Sequence, residues 1–288
     1  MDIKSYFEKK SSVVDRALDK LLPKKGKYLS TIHDAMRYSM FAGGKRLRPV
    51  LAIAAFEAAG EKGNKILPAA CAIEMLHTFS LIHDDLPCMD DDDFRRGKPT
   101  SHKTFGEAMA VLAGDALCIR AFEILGRYQN LPLAEEMGKA LGTNGMLGGQ
   151  VVDIESENMK KIDEERLSFI HHHKTEALIT ASLRIGGLIG KASQKEMALL
   201  TRYGQLTGLA FQIVDDVLDI VGTTESLGKD AGSDVENQKA TYPRLFGVEK
   251  SRAKARQLTD AAKRTLMPLK GRGRVLAAVA DFIVERVN

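Results

Sequence analysis

The sequence contains no tryptophan, few cysteines and no run of about 18 apolar residues that could cross a membrane. The three cysteines, Cys71, Cys88 and Cys118, lack the spacing of a metal site, and an odd number cannot pair completely. The segment from Met1 to Ser12 carries charges throughout and lacks the apolar core of a signal peptide. We therefore expect reduced thiols, a cytoplasmic protein and no membrane insertion.

Proline is also scarce, with 8 in 288 residues and none between Pro132 and Pro243. Because proline breaks helix interiors, this distribution leaves room for long helices. Alternating β-branched strands are missing, and apolar residues recur at helical spacings of three and four. The sequence predicts an all-α protein with a single domain over 1–288. Helices are expected near 2–21, 29–41, 45–59, 64–85, 104–129, 132–157, 163–190, 194–221, 239–266 and 271–286.

Excess charge of either sign is small, because the net charge is only +4. A nucleic-acid binder usually gathers its positive charge into a stripe, and this sequence has no such stripe. Hydrophobic residues make up 44% and charged residues 28%, which is typical of a soluble globular protein. We expect no nucleic-acid partner.

A dense acidic cluster follows the apolar segment 66–82. It reads Asp84-Asp85-Leu86-Pro87-Cys88-Met89-Asp90-Asp91-Asp92-Asp93. So many carboxylates repel one another in a compact fold, and their hard oxygens suit a divalent cation such as magnesium. Pro87 is expected to deform the helix end, so that Asp90 turns back towards Asp84. A solvated acidic loop or a calcium loop is the alternative, although the EF-hand pattern is absent.

A second acidic cluster lies on the apolar segment 206–221. Asp215 and Asp219 are one helical turn apart, and Asp216 sits beside them. Carboxylates among apolar neighbours are costly unless they are paired or bound to metal. Two such clusters facing each other would hold several magnesium ions around a shared anion.

Basic residues accompany both acidic clusters. Lys45 and Arg48 stand three apart at a predicted helix start and can point together towards an anion. Arginine forks suit phosphate oxygens. The further candidates are Arg95, Arg96, Lys98, Lys174 with Thr175, Lys229 and Lys239. The pattern favours a site for a highly charged anion bridged by metal.

These motifs together resemble the trans-type prenyl diphosphate synthases, and most closely the bacterial farnesyl diphosphate synthases. The resemblance runs from Met36 to Pro243 and rests on Gly43-Gly44-Lys45-Arg46-Leu47-Arg48-Pro49, on the first acidic cluster with Arg95-Arg96-Gly97, and on Phe211 to Asp219. Shorter matches are Gly149-Gln150, His173-Lys174-Thr175, Gly228-Lys229-Asp230 and Lys239 to Pro243. Some members end in a basic tail that closes the site, but this chain ends Glu285-Arg286-Val287-Asn288, so a closing tail is not expected.

The resemblance implies an isoprenoid-synthase-type helical bundle around a deep central cavity, usually a homodimer, which condenses isopentenyl diphosphate with an allylic diphosphate. It implies three magnesium ions, or manganese, on Asp84, Asp90 and Asp215, supported by Asp85, Asp216 and Asp219. Isopentenyl diphosphate would bind Lys45, Arg48, His77 and Arg96. The allylic diphosphate would bind Arg95, Lys174, Thr175, Gln212, Lys229 and Lys239. Ionisation would depend on Asp84, Asp85, Arg95, Lys174, Asp215 and Lys229.

The length of the product should depend on the depth of the cavity below Asp84. Phe79 lies about 7.5 Å earlier along the helix, at 1.5 Å per residue, and its ring would obstruct a growing chain. Ser80, beside it, is small. We therefore expect farnesyl diphosphate as the main product, with geranylgeranyl diphosphate as the alternative. Ordinary core packing is the competing interpretation of Phe79.

Other functions fit parts of the sequence. A class I terpene cyclase would share the acidic clusters but would not need Lys45 and Arg48. A non-catalytic prenyl-diphosphate-binding subunit would be expected to have lost some of the aspartates. Glu74 and His77 fit the Glu-x-x-His of a di-iron bundle, but no second such pair is present. His171 and His172 are interpreted as structural.

Overall fold

The computed structural model describes residues 2–24, 26–129, 131–157, 159, 162–221 and 240–285. Helices make up the first half as follows: α1 Ile3–Leu21, α2 Ser30–Met40, α3 Leu47–Ala58, α4 Leu67–Asp84, α5 Ser101–Phe105, α6 Glu107–Leu125 and α7 Leu133–Leu141. The second half contains α8 Met146–Ser156, α9 Glu164–Ile170, a π-helical turn His171–Glu176, α10 Ala177–Ile189, α11 Gln194–Val221, α12 Tyr242–Phe246, α13 Val248–Thr265, a 3-10 helix Met267–Gly273 and α14 Arg274–Val284. The predicted all-α class is confirmed.

Helices α3 and α4 form the centre of the bundle because they are apolar on nearly every side. Ten of the twelve residues of α3 are buried, and α4 is buried from Ala69 to Leu76. Helix α4 packs against α6, and α3 packs against α10, which in turn contacts α11. A helix that is apolar all round belongs in a core. The acids at the end of α4 and on α11 are therefore carried by buried elements, as the sequence predicted.

Three long predicted helices are interrupted. The helix expected over 104–129 breaks at Gly106, and that expected over 239–266 breaks at Gly247, where φ is 85° and 83°. Glycine adopts this backbone conformation without steric cost, so each new helix starts in a different direction. The helix expected over 132–157 is interrupted between Leu141 and Met146, with Gly142 and Gly145 in the connection.

A short hairpin follows the first acidic cluster. Strand β1, Phe94–Arg95, pairs antiparallel with β2, Lys98–Pro99. The predicted helices did not include it, and it holds Arg95 and Arg96 close to the end of α4. Within the described residues, none of the helices has the length and apolar character needed to cross a membrane. The expectation of a single domain over 1–288 stays a prediction.

Candidate active site

The chain folds back on itself after α4. The amide of Asp90 donates a hydrogen bond to the carbonyl of Asp84 over 2.9 Å, and Asp91 adopts a positive φ of 51°. Asp84 lines a cavity beside this turn. The expected return of Asp90 towards Asp84 is therefore present, and the charges of both residues act on Lys174, which lines the same cavity as Asp84.

Asp85 is buried and faces the hairpin. Its carboxylate accepts a hydrogen bond from Arg95, whose other nitrogen donates to Asp92 over 2.7 Å. Burial raises the pKa of Asp85 to about 7, although Arg95 acts in the opposite direction. Arg95 thus neutralises part of the acidic cluster. It shares a small cavity with Asp85 and Arg96, and Lys174 is not among the residues lining that cavity.

The second acidic cluster has its most buried carboxylate in a dense network. Asp216 accepts hydrogen bonds from the side-chain amide of Gln212 over 2.7 Å and from the backbone amide of Tyr242 over 2.8 Å. Nε2 of His171 lies 3.2 Å from the same carboxylate. Asp219 is also buried, whereas Asp215 is half-buried. The network ties α11 to the π-helical turn and to α12.

Lys174 and Thr175 lie in the π-helical turn and point to different partners. Lys174 Nζ is 2.5 Å from a carboxylate oxygen of Asp153 on α8. Burial lowers the pKa of Lys174, but Asp153, Asp84 and Asp90 outweigh burial and raise it overall. The hydroxyl of Thr175 donates to the side-chain carbonyl of Gln212 over 2.5 Å. The turn therefore links the first acidic cluster to α11.

The four residues that the resemblance assigns to isopentenyl diphosphate line one cavity of about 590 Å³. They are Lys45, Arg48, His77 and Arg96. Lys45 lies with its ammonium 5.7 Å from the ring centroid of Phe282, on the last described helix. The structure thus brings this predicted set together.

Arg48 and His77 also line a second cavity, which is the one that Asp84 lines. An Arg48 guanidinium nitrogen is 3.1 Å from His77 Nε2. Burial, followed by Arg48, holds the pKa of His77 well below its usual range, so the ring is neutral and can accept this hydrogen bond. Among the described residues, Nε of Arg48 is buried and has no hydrogen-bond partner. Such an orphaned donor fits an anionic ligand.

Arg96 covers the glycine-rich segment before α3. Its guanidinium donates to the carbonyl of Gly43, and a Cβ on Gly44 would stand 2.6 Å from Arg96 Cζ. No other residue type fits at position 44 unless Arg96 moves. The paired glycines therefore allow Arg96 to lie beside Lys45 and Arg48.

The second cavity, of about 370 Å³, runs from the charged cleft into an apolar pocket. Lys174, Thr175 and Asp84 lie at its charged end. Its apolar wall includes Phe79, Leu81, Leu86, Met89, Val111, Met146, Leu147 and Leu178. The Phe79 ring contacts the His83 ring edge-on, with centroids 5.6 Å apart. Phe79 and Ser80 therefore lie on the pocket wall, where the sequence placed them, and their influence on product length stays a prediction.

Magnesium fits the donor chemistry of this cleft. Burial lowers the pKa of Arg48 to about 10, whereas Glu74 and Asp215 raise it, so the charge of the second cluster reaches the same cleft as Asp84 and Asp90. Within the described ranges, no three acidic, histidine or cysteine side chains form a ready-made metal site. Magnesium usually keeps several waters and binds one or two carboxylates together with substrate phosphates. Acids on two sides of a cleft suit an ion that arrives with a diphosphate.

Two residues that were predicted for the site are not described by the structure, and two residues near the site were not predicted. Lys229 and Lys239 fall outside the described residues. Asp153 and Arg46 were not predicted as part of the site. Asp153 follows the Gly149-Gln150 match on α8, and Arg46 lies inside the glycine-rich motif, but nothing local to either residue indicates its partners.

Comparison with known proteins agrees with this geometry. The polyprenyl synthetase family matches residues 29–268. The chain belongs to this family. The geranylgeranyl diphosphate synthase of Cyanophora paradoxa is 45% identical over 291 residues, which cover 99% of this chain and 96% of that protein.

Solved structures of this family share the fold. An FPP/GFPP synthase from Zymomonas mobilis has a TM-score of 0.87 and 36% identity, with 98% of each chain covered. A polyprenyl synthase from Caulobacter crescentus, complexed with calcium and isoprenyl diphosphate, has a TM-score of 0.90 and 27% identity, covering 100% of this chain and 98% of that one. The isoprenoid-synthase-type bundle is confirmed, and this member of the family is a prenyltransferase of isoprenoid biosynthesis.

Proposed function

We propose that the protein lengthens an allylic diphosphate with isopentenyl diphosphate and that geranylgeranyl diphosphate is its main product. One observation carries the reaction: two cation-lined cavities meet at Arg48 and His77, and one of them continues into an apolar pocket. A reaction between two diphosphates needs two sites for anions, and a lengthening hydrocarbon needs an apolar wall. A terpene cyclase would not need the cavity around Lys45 and Arg48.

The allylic diphosphate binds at the charged end of the apolar pocket. Lys174 supplies the cation there, with Thr175 and Gln212 at its side, and Lys229 and Lys239 are proposed to join it. Three magnesium ions held by Asp84, Asp90 and Asp215 would neutralise the diphosphate and make it a better leaving group. Asp85, Asp216 and Asp219 support these ligands. Arg95 acts with them by balancing the charge of Asp85.

Isopentenyl diphosphate binds in the neighbouring cavity. Lys45, Arg48 and Arg96 hold its diphosphate, and neutral His77 orients Arg48. When the allylic C–O bond breaks, the electron pair leaves with the diphosphate, and the double bond of isopentenyl diphosphate attacks the allylic cation. The proton lost afterwards passes to the departed diphosphate. The apolar wall excludes water, which would otherwise capture the cation.

The names of similar proteins support geranylgeranyl diphosphate as the main product. The Cyanophora paradoxa protein, which this chain matches over nearly its whole length, is named for geranylgeranyl diphosphate. Farnesyl diphosphate is the second candidate, because the rings of Phe79 and His83 lie against each other on the wall of the apolar pocket. The Zymomonas mobilis protein is named for FPP as well as GFPP.

The deciding experiment is an incubation with isopentenyl diphosphate and each allylic starter in turn, with magnesium, followed by chromatographic sizing of the products. We expect turnover only when both diphosphates are present, and a C20 product from every starter. Products that stop at C15 would favour the second candidate. Turnover of an allylic diphosphate alone, or no turnover with any pair, would contradict the proposed reaction.

We further propose that a second copy of the chain closes the apolar pocket. Val111 on α6 and Leu147 on α8 line the pocket but are 39% and 47% exposed. Further exposed apolar residues follow at helical spacing on each helix: Leu112 and Ile119 on α6, and Val151 and Ile154 on α8. An exposed apolar patch of this kind is typical of a protein interface. A second copy seated there would cover the open side of the hydrocarbon pocket.

The oligomeric state in solution tests the proposal that a second copy closes the apolar pocket. Light scattering during gel filtration should give a dimer for the wild-type protein and a monomer for Ile119→Glu combined with Val151→Glu. Tyr28→Glu, at an apolar position that is still more exposed and lies outside α6 and α8, should leave the dimer intact. A monomeric wild-type protein, or a dimer that survives the double substitution, would contradict the proposal. The cytoplasmic compartment stays a prediction.

A further inference from the structure

Arg46 is the most completely engaged arginine near the isopentenyl diphosphate cavity, although the sequence marked only its neighbours. Its side chain donates to Asp15 on α1 over 2.8 Å, to Glu74 on α4 over 2.9 Å and to the carbonyl of Met40 at the end of α2 over 2.7 Å. Arg46 is only 3% exposed. One guanidinium thus joins three helices to the residue that precedes α3.

The backbone of Arg46 is strained, which makes these bonds informative. Its φ of 51° lies in the left-handed region, which is unfavourable for a residue with a Cβ. Such a conformation persists only where the surroundings determine it. Lys45 precedes Arg46 directly, and Arg48 follows two residues later in the first turn of α3. The direction of both cations therefore depends on how Arg46 is held.

Glu74 completes a closed ring of contacts around the cavity. It lies one helical turn before His77 on α4, and His77 in turn contacts Arg48. One oxygen of Glu74 accepts from Arg46, and the other has no hydrogen-bond partner among the described residues. Burial lowers the pKa of both Arg48 and Arg96, and the charge of Glu74 acts against burial in each case. Glu74 therefore serves as a counter-ion for a cavity that collects cations.

We propose that Arg46 and Glu74 are positioning residues for isopentenyl diphosphate, which hold Lys45, Arg48 and His77 in place without touching the substrate. The inference rests on the proposed function. It also explains the Glu-x-x-His spacing on α4, because Glu74 binds the Arg46 guanidinium instead of a metal. A buried ion pair is a poor source of stability, since apolar residues of similar volume often stabilise a fold as well or better. Placement of the cavity cations gives the pair a function that two methionines could not supply.

The test distinguishes an effect on the placement of the cavity cations from an effect on the stability of the fold. Arg46→Met leaves Glu74, which is 1% exposed, as an unpaired buried charge, so we expect a lower melting temperature and weak activity. The double variant Arg46→Met with Glu74→Met removes both charges and should recover most of the melting temperature. Its KM for isopentenyl diphosphate should nevertheless stay raised about tenfold, because the cations are no longer held in register. Its KM for the allylic diphosphate should change by less than about threefold.

Arg184→Met is the matched control. Arg184 also makes three side-chain hydrogen bonds, two to Glu136 and one to Thr201, but lies away from both cavities. Its loss should lower the melting temperature and leave both KM values unchanged. A double variant with a wild-type KM for isopentenyl diphosphate, or with both KM values raised equally, would overturn the inference alone. A wild-type protein that does not consume isopentenyl diphosphate would overturn the proposed function, and the inference with it.

Discussion

Lys174 and Asp153 form an ion pair of 2.5 Å that joins the π-helical turn to α8. Asp153 is buried, and the lysine also feels the charges of Asp84 and Asp90. Lys174, the cation proposed for the allylic site, is therefore fixed by one buried carboxylate and is also attracted by the acidic cluster. The pair stabilises the charge of Lys174 and its direction together.

Loss of this anchor should weaken allylic turnover specifically. In Asp153→Asn, Lys174 keeps its charge because Asp84 and Asp90 remain, but it loses its fixed position. We expect kcat/KM for the allylic diphosphate to fall about tenfold, equivalent to about 1.4 kcal/mol, with KM for isopentenyl diphosphate unchanged. Glu155→Gln on the same helix, which removes a surface pair with Arg166, is the control. Equal losses for both substrates would contradict this prediction.

A side chain at position 44 should weaken the binding of isopentenyl diphosphate because it displaces Arg96. Gly44→Ala puts a Cβ into the Arg96 guanidinium, so KM for isopentenyl diphosphate should rise about tenfold. Gly43→Ala is a close control because Gly43 has a similar φ, 111° against 115°, and no heavy atom within 4 Å of the added Cβ. Both variants carry the backbone strain, and only one displaces Arg96. A similar KM in the two variants would show that strain, not Arg96, is responsible.

Phe79→Ala should lengthen the products. The change removes a ring from the wall of the apolar pocket, so more isoprene units fit before the chain meets an obstacle. Chromatography should show a shift by at least one C5 unit relative to the wild-type protein. Phe122→Ala on α6 is the control, because Phe122 packs against the core and does not line this pocket. An unchanged distribution would mean that Phe79 is ordinary core packing.

Because of His77, the free energy of unfolding should decrease as the pH falls into the mildly acidic range. Its pKa in the folded protein lies well below the unfolded value of 6.5, so the unfolded chain binds more protons between those two values. Stability is then fully present above pH 6.5 and is lost as the pH falls below it. The melting temperature should fall less steeply from about pH 7 to about pH 5.5 in His77→Gln than in the wild-type protein. His33→Gln, near the surface, should follow the wild-type curve, and parallel curves for all three proteins would refute the assignment.

Much of the fold could be read from apolar periodicity. Helix α11 covers the predicted range 194–221, and its buried face extends from Leu200 to Asp219. The interruptions at Gly106 and Gly247 were missed, since the chain is helical immediately before and after each glycine. Whether a glycine continues a helix or turns it depends on what the next helix packs against. That information lies in the tertiary structure.

The candidate site could likewise be predicted only in part from the sequence. Lys45 and Arg48 could be predicted from their spacing at a helix start, whereas His77 and Arg96 were assigned by the resemblance to the family. The structure gathers all four around one cavity. Their supporting partners could not be predicted. Arg46 looks like any basic residue of a charged motif, and its burial depends on α2 and on two helices that are distant in sequence, α1 and α4. Glu74 showed a metal-type spacing that its arginine partner now explains.

The π-helical turn over His171–Glu176 has a consequence for protein engineering. A π-helical turn accommodates one more residue than an α-helical turn. Deleting a single residue from this turn would return it to a regular α-helix and change the register of Lys174 relative to α9. A chimaera that imports this segment from a donor with a regular helix would therefore need compensating length, or its lysine would no longer reach α8.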